Sequence, residues 1–112
     1  MTSHGNKPKP LKPSEVKEVI LAALGDEGSY QEQPLSLHAR FDHPGRKIDL
    51  NDVLFGLKQK WSSCKPDGFD EENWQWKYRI TTRDIEEREF TIVLRLEPAA
   101  KKFTVITRWP DD

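Results

Sequence analysis

The stretch LHARFDHPGR, residues 37–46, places two histidines and two arginines within ten positions. An imidazole has a pKa near neutrality and can act as a general acid or base, whereas a guanidinium neutralises the charge that develops on a phosphate in the transition state. These residue types suit metal-independent cleavage of a phosphodiester. The stretch therefore predicts His38 and His43 as catalytic residues and Arg40 and Arg46 as phosphate-binding residues.

The strand pattern of the C-terminal third supplies further cations. In WQWKYRITT, residues 74–82, polar residues alternate with apolar ones, so Lys77 and Arg79 share a face. His38 alternates in the same way within LSLHARFD. We therefore predict that Lys77 and Arg79 bind phosphate as well. The polar face of the sheet should collect the cations of its strands: Arg40, Lys77, Arg79, Arg95 and Arg108.

A second interpretation of this polar face stays open. The chain has 19 acidic residues against 18 basic ones, and cross-strand ion pairs on a solvated sheet face use the same residue types. The face is therefore either a phosphate site or a set of surface ion pairs. Trp74, Trp76 and Trp109 also allow two interpretations, as core residues at strand spacing or as platforms on which bases stack.

Metal and thiol chemistry are not indicated. A tetrahedral site needs at least one ligand beyond His38 and His43, and no helical spacing of ligands supplies it. Cys64 is the only cysteine, which excludes an intrachain disulfide, and the sequence indicates no base beside it. We expect no metal, no cofactor and an unreactive loop thiol.

The elements that position these residues begin after a basic, proline-rich arm. Residues 1–13 interleave lysine with proline and cannot bury apolar area, so we expect a disordered arm followed by a single domain over residues 14–112. Ser14 as N-cap and Gly25 as C-terminal stop predict a helix over residues 15–24. Its apolar residues form one stripe and should pack on a sheet.

The middle of the chain predicts one strand and one helix. The polar segment GDEGSYQEQP, residues 25–34, is typical of a linker, and the alternation that follows indicates a strand over residues 35–41. Pro44-Gly45 should form a turn. Asp49 as N-cap and apolar residues at helical spacing predict a second helix that ends near Trp61.

The C-terminal half predicts a long polar loop and then a three-stranded meander. SSCKPDGFDEEN, residues 62–73, collects loop-forming residues, and three alternating segments follow with short hairpin connections. The sequence therefore predicts an α+β fold. Two helices pack on a small antiparallel sheet of three to four strands, in the order α-β-α-β-β-β.

Composition limits the function classes. The net charge of −1 gives no global field that would attract nucleic acid or an anionic membrane. The longest apolar run, Val19 to Leu24, is shorter than a membrane span, and the first residues lack the apolar stretch of a signal peptide. We expect a cytoplasmic protein.

Some of these residues resemble a broad family of small bacterial domains related to the RelE and BrnT toxins. In one uncharacterised branch of it, a His and arginines lead into a helix entry of the form R-x-I-x-x-x-D-V-x-x-x-L, and the last strand contains V-I-T. The matching positions here lie between residues 35 and 109: His38-Ala39-Arg40, Arg46, Ile48, Asp52-Val53, Leu57 and Val105-Ile106-Thr107. The resemblance implies ribonuclease activity held in check by an antitoxin. Pro44-Gly45 and the near-neutral charge depart from the family pattern.

Two functions follow as hypotheses. The first is a non-catalytic or regulatory module that binds a protein partner, such as an antitoxin, through a sheet edge or an aromatic surface. The second is a metal-independent ribonuclease that cleaves RNA through the His/Arg/Lys face. Near-neutral charge and the absence of a defined catalytic triad favour the first.

Overall fold

The computed structural model of the chain describes residues 7–25, 28–32 and 47–111. Within these ranges the fold is α+β, with two helices and a five-stranded sheet. The helices are α1, Pro13–Leu24, and α2, Leu50–Lys58. The strands are β1, Ser29–Glu32; β2, Ser63–Asp70; β3, Gln75–Arg83; β4, Glu89–Glu97; and β5, Lys102–Pro110. A single 3₁₀ turn, Pro98–Ala100, joins β4 to β5.

The sheet differs from the predicted one in size and in strand direction. Its order is β1-β5-β4-β3-β2, and β1 runs parallel to β5 while the other neighbours are antiparallel. The sheet is therefore mixed and has five strands, and the element order of the described residues is α-β-α-β-β-β-β. The three-stranded meander is confirmed as β3, β4 and β5. The strand predicted over residues 35–41 and the turn at Pro44-Gly45 lie outside the described residues.

The two additional strands lie where the sequence predicts a linker and a loop. Neither has an alternating apolar pattern, because each lies at an edge of the sheet and most of its side chains are exposed or partly exposed. Their pairing comes from main-chain hydrogen bonds to β5 and β3. In β2 the register shifts between Pro66 and Phe69, and Gly68 has a φ of 98° there. A bulge and a proline are features of a sheet edge that resists further pairing.

Both helices begin at residues that suit a helix N-terminus. α1 begins at Pro13, two residues before the predicted start, because proline is favoured in the first turn and the backbone N–H of Lys12 donates to Glu15 Oε1 at 2.9 Å. The predicted N-cap of α2 is confirmed: Asp49 and Asp52 each accept a hydrogen bond from the other's backbone N–H, at 2.9 and 3.1 Å. α2 ends at Lys58, before the predicted end.

The helices cover one face of the sheet and enclose a single core. The buried apolar residues come from α1, α2 and the inward positions of the meander, including Tyr78, Ile80, Phe90 and Leu94. α2 lies close to the sheet at Gly56, whose carbonyl oxygen accepts a hydrogen bond from Thr82 Oγ1 at 2.8 Å. This packing fixes which face of β3 to β5 is left uncovered by the described helices.

Candidate functional site

The face of the sheet opposite the helices, here called the open face, holds two of the predicted phosphate-binding residues. Lys77 and Arg79 alternate along β3 with the buried residues Tyr78 and Ile80, so both lie on this face. Their role in binding phosphate stays a prediction. The other predicted site residues lie outside the described part of the chain: His38, His43, Arg40 and Arg46.

The arginines of the open face are paired with carboxylates. Arg79 lies 3.2 Å from Asp67 on β2, and Arg95 lies 3.3 Å from Asp70. Asp70 also accepts hydrogen bonds from the Asn73 side chain and backbone, and these bonds, with the nearby Arg95 charge, hold the pKa of this carboxyl below its usual value. This arrangement matches the ion-pair interpretation. The ammonium group of Lys77 makes no ion pair within the described residues.

Arg108 lies on the other face, which corrects its predicted position. The register between β4 and β5 shifts between Val93 and Leu94, because Ile106 forms a bulge on β5. An extra residue reverses the alternation of the side chains that follow it. Arg108 therefore points to the helix side, where its Nε donates to the Ile48 carbonyl oxygen at 2.7 Å and its guanidinium pairs with Glu32. Burial lowers the pKa of Arg108.

The same bulge moves Trp109 to the open face. The Arg79 guanidinium carbon lies 5.4 Å from the centre of the Trp109 ring. Val93, the cross-strand partner of Arg79, is only 5% exposed although no described helix covers it. Arg79 is therefore held on the open face by an ion pair with Asp67 and a cation–π contact with Trp109.

A small polar cavity of about 110 Å³ opens on this face near the starts of β3 and β5. Its lining side chains bond to one another: Gln75 Nε2 donates to Glu97 Oε1 at 2.6 Å, and Gln31 Nε2 donates to Thr104 Oγ1 at 3.2 Å. The lining contains no pair of nucleophile and base. This cavity can hold water or a polar side chain, and its groups do not form a catalytic arrangement.

A second surface is aromatic and lies on the helix side of the sheet, along β2 and β3. Phe69 packs edge-on against Trp74 and Trp76. The centre of its ring lies 4.9 Å from that of Trp74 and 5.3 Å from that of Trp76. Tyr78 lies two residues beyond Trp76 on the same face of β3. Phe69, Trp76 and Tyr78 together form the aromatic surface. Trp76 and Tyr78 both contact the core, as one of the two interpretations of Trp76 predicts. The polar atoms of both side chains, however, bond to the main chain of the N-terminal arm.

The aromatic surface holds residues of the Lys/Pro arm. Trp76 Nε1 donates to the carbonyl oxygen of Pro8 at 2.7 Å, and the backbone N–H of Leu11 donates to Tyr78 Oη at 2.9 Å. The ammonium group of Lys7 lies 5.4 Å from the centre of the Phe69 ring. Composition predicts that this arm is disordered, whereas residues 7–12 lie on the domain because the β3 side chains of Trp76 and Tyr78 bond to the backbone of Pro8 and Leu11.

The two anchoring bonds fit an extended proline-rich conformation. A polyproline II helix has three residues per turn, so Pro8 and Leu11 lie one turn apart on the same edge, at a spacing of about 9 Å. Side chains two residues apart on a strand lie on the same face, with a spacing of about 7 Å. Trp76 and Tyr78 therefore match one edge of such a helix. Lys12, with φ −71° and ψ 155°, has this conformation.

The Tyr78 hydroxyl and the Cys64 thiol, which lie near this surface, are both protonated at neutral pH. Burial raises the pKa of Tyr78, so its hydroxyl stays neutral and remains available to accept the bond from Leu11. Burial also raises the pKa of the Cys64 thiol to about 11. Cys64 lies on β2 rather than in a loop, and at neutral pH it is a thiol and not a nucleophilic thiolate. The described residues contain no group of three or more His, Cys, Asp or Glu that could hold a metal ion.

Together these features define a small α+β fold with one ion-paired face and one aromatic surface that contacts residues 7–11 of the same chain. Among the described residues, neither helix has the length and apolar character needed to cross a membrane. No family model, curated protein or solved structure matches the chain. The resemblance to the RelE and BrnT toxins therefore stays a prediction.

Proposed function

We propose that this protein is a non-catalytic module that binds an extended segment of a protein partner through its aromatic surface. One observation supports this proposal above the others. The aromatic surface already holds residues 7–11 of the chain. The Trp76 indole N–H donates to the Pro8 carbonyl oxygen at 2.7 Å, and the Leu11 backbone N–H donates to Tyr78 Oη at 2.9 Å. A partner segment of similar conformation that replaces residues 7–10 can accept the same bond from the Trp76 indole.

The chemistry of the surface suits peptide binding. Indole and phenol groups combine large apolar area with one polar atom, and they are frequent at the centres of protein interfaces. Bonds to main-chain atoms give affinity without requiring a particular side chain, and aromatic grooves with such donors are a recurrent way of binding proline-rich segments. The open face supports catalysis less well, because Arg79 and Arg95 are already neutralised by Asp67 and Asp70.

The toxin-like ribonuclease is the second candidate. It is favoured by the position of Lys77 and Arg79 on one face and by the unpaired ammonium group of Lys77 within the described residues. It requires His38 or His43 to act as general acid or base beside them. The two candidates place function on opposite faces of the sheet, so they can be separated by experiment.

Nuclear magnetic resonance tests the first candidate on the full chain. The four tryptophans give separate indole N–H signals, and a Trp76→Phe variant identifies that of Trp76 by its loss. We expect a capped ten-residue polyproline peptide to shift the Trp76 signal saturably at concentrations up to roughly millimolar. Trp61, whose indole N–H donates to the Leu57 carbonyl oxygen, serves as the internal control. A Trp76 signal that does not respond contradicts the proposal.

An RNA cleavage assay tests the second candidate. Purified protein is incubated with total RNA, with and without ribosomes, beside His38→Ala and Lys77→Ala variants. The binding proposal predicts intact RNA in every reaction. Cleavage by the parent protein that is lost in His38→Ala would overturn the binding proposal and establish the ribonuclease.

A further inference from the structure

We infer that the aromatic surface selects segments in which lysine alternates with proline, and that the chain's own residues 7–10 occupy it as a displaceable ligand. This inference rests on the proposed function. It adds the chemical class of the partner segment, and it adds a competitor built into the same chain.

The preference for lysine follows from the charges around Phe69. The ammonium group of Lys7 lies over the Phe69 ring and 3.2 Å from Glu71 Oε1. The turn after β2 carries a second carboxylate, Glu72, directly after Glu71. A cation at the first position of the bound segment therefore gains both a cation–π contact and an ion pair. An anion at that position is repelled by Glu71.

The preference for proline follows from conformation. Proline fixes its own φ near −65°, and a residue before proline is restricted to extended conformations. In a segment of alternating lysine and proline, every residue is restricted in one of these two ways. Such a segment is already close to the bound conformation, so it loses little conformational entropy when it binds.

Residues 7–10 are attached weakly compared with the residue that follows them. Leu11 packs against the core and directly precedes α1. Residues 7–10 are all exposed, and Lys9 makes no hydrogen bond, ion pair or ring contact with the described residues. They are held by one indole hydrogen bond, one exposed ion pair and one cation–π contact. These four residues can therefore leave the surface while Leu11 stays in place.

The consequence is competition within one chain. A partner segment must displace residues 7–10, so its apparent affinity is reduced by the fraction of molecules whose surface is occupied. Weakening the attachment of the chain's own segment should increase affinity for an added one. Lys7 is the residue to change, because both of its contacts are made by its ammonium group.

The test uses the full chain and three capped eight-residue peptides: alternating Lys-Pro, alternating Glu-Pro and polyproline. Binding is followed by the Trp76 indole signal. We expect the Lys-Pro peptide to bind about fivefold more tightly than polyproline, and the Glu-Pro peptide to bind more weakly than either. Added Lys-Pro peptide should also release residues 7–10, seen as a fall in the heteronuclear NOE of the Lys7 and Lys9 amides.

Two charge reversals provide a matched comparison. Lys7→Glu removes the contacts with Phe69 and Glu71. Lys9→Glu makes the same charge change two residues away, at a side chain with no ion pair or ring contact among the described residues. We expect Lys7→Glu to bind the Lys-Pro peptide about fivefold more tightly than Lys9→Glu does.

The outcomes separate the inference from the proposed function. If polyproline shifts the Trp76 signal but Lys-Pro binds no better and the two variants behave alike, the inference is overturned and the proposed function stands. If none of the three peptides shifts that signal, the proposed function fails together with the inference.

Discussion

Replacing Gly56 with alanine tests how closely α2 lies on the sheet. In an exposed helix this change stabilises by about 1 kcal/mol, because glycine is a poor helix former. At Gly56 the added Cβ would lie 2.6 Å from Thr82 Cγ2 and 2.8 Å from Phe90 Cζ. Both neighbours are fully buried on the central strands. Ordinary carbon contacts are about 3.5–4.0 Å, so α2 must move away by about 1 Å.

That displacement sets the expected magnitude. Overpacking a close-packed core costs about 1–3 kcal/mol, and the hydrogen bond from Thr82 Oγ1 to the Gly56 carbonyl oxygen, worth about 1 kcal/mol, is weakened by the same movement. These two costs exceed the gain in helix propensity. We therefore expect Gly56→Ala to lower the free energy of unfolding by about 1–3 kcal/mol.

Urea unfolding followed by circular dichroism measures this difference. The matched control is Asn51→Ala at an exposed position of the same helix, which should be neutral or slightly stabilising. An equal or higher unfolding midpoint for Gly56→Ala would show that α2 does not approach the sheet as described. The arrangement of the core and the assignment of the open face would then need revision.

Two further predictions concern titratable groups. Asp70→Ala should lower the free energy of unfolding by about 1 kcal/mol at pH 7, because the carboxylate accepts bonds from Asn73 and pairs with Arg95. The pKa of Asp70 is lowered in the folded state, so the loss of unfolding free energy should be complete above the usual Asp pKa and should shrink as the pH falls below about 4. A loss that does not change with pH between 2 and 7 argues against a role for the charge. Cys64, with its pKa raised from 9.0 to about 11, should react with iodoacetamide at pH 8 about a hundredfold more slowly than it does in urea-unfolded protein. Equal rates in the two states would show that the thiol is not protected by the fold.

The predictable part of the fold is the part that buries apolar side chains in a regular pattern. α2 was predicted from Asp49 and its helical spacing, and β3 to β5 from their period of two, because burial of one face imposes these patterns on the sequence. β1 and β2 lacked such a signal. Their strand conformation depends on main-chain bonds to β5 and β3, and an edge strand that buries few side chains leaves little pattern to detect.

The candidate site was less predictable than the fold. The alternation in β3 correctly placed Lys77 and Arg79 on one face. It could not show that Asp67 and Asp70, in a segment assigned to a loop, approach the arginines of that face. The aromatic surface was missed because Trp76 was interpreted as a core residue or as a platform for bases, and neither interpretation includes a hydrogen bond to the main chain of the arm.

The sequence by itself determined the α+β class, the meander and the aromatic residues of the core, since local periodicity encodes which side chains are buried. Only the tertiary structure decided the face of Arg108, because a single bulge at Ile106 reverses every side chain after it. Tertiary structure also decided that a Lys/Pro segment lies on Trp76 and Tyr78. The hydrogen bonds responsible join residues 67 and 68 positions apart in the sequence, and no local pattern encodes a contact over that distance.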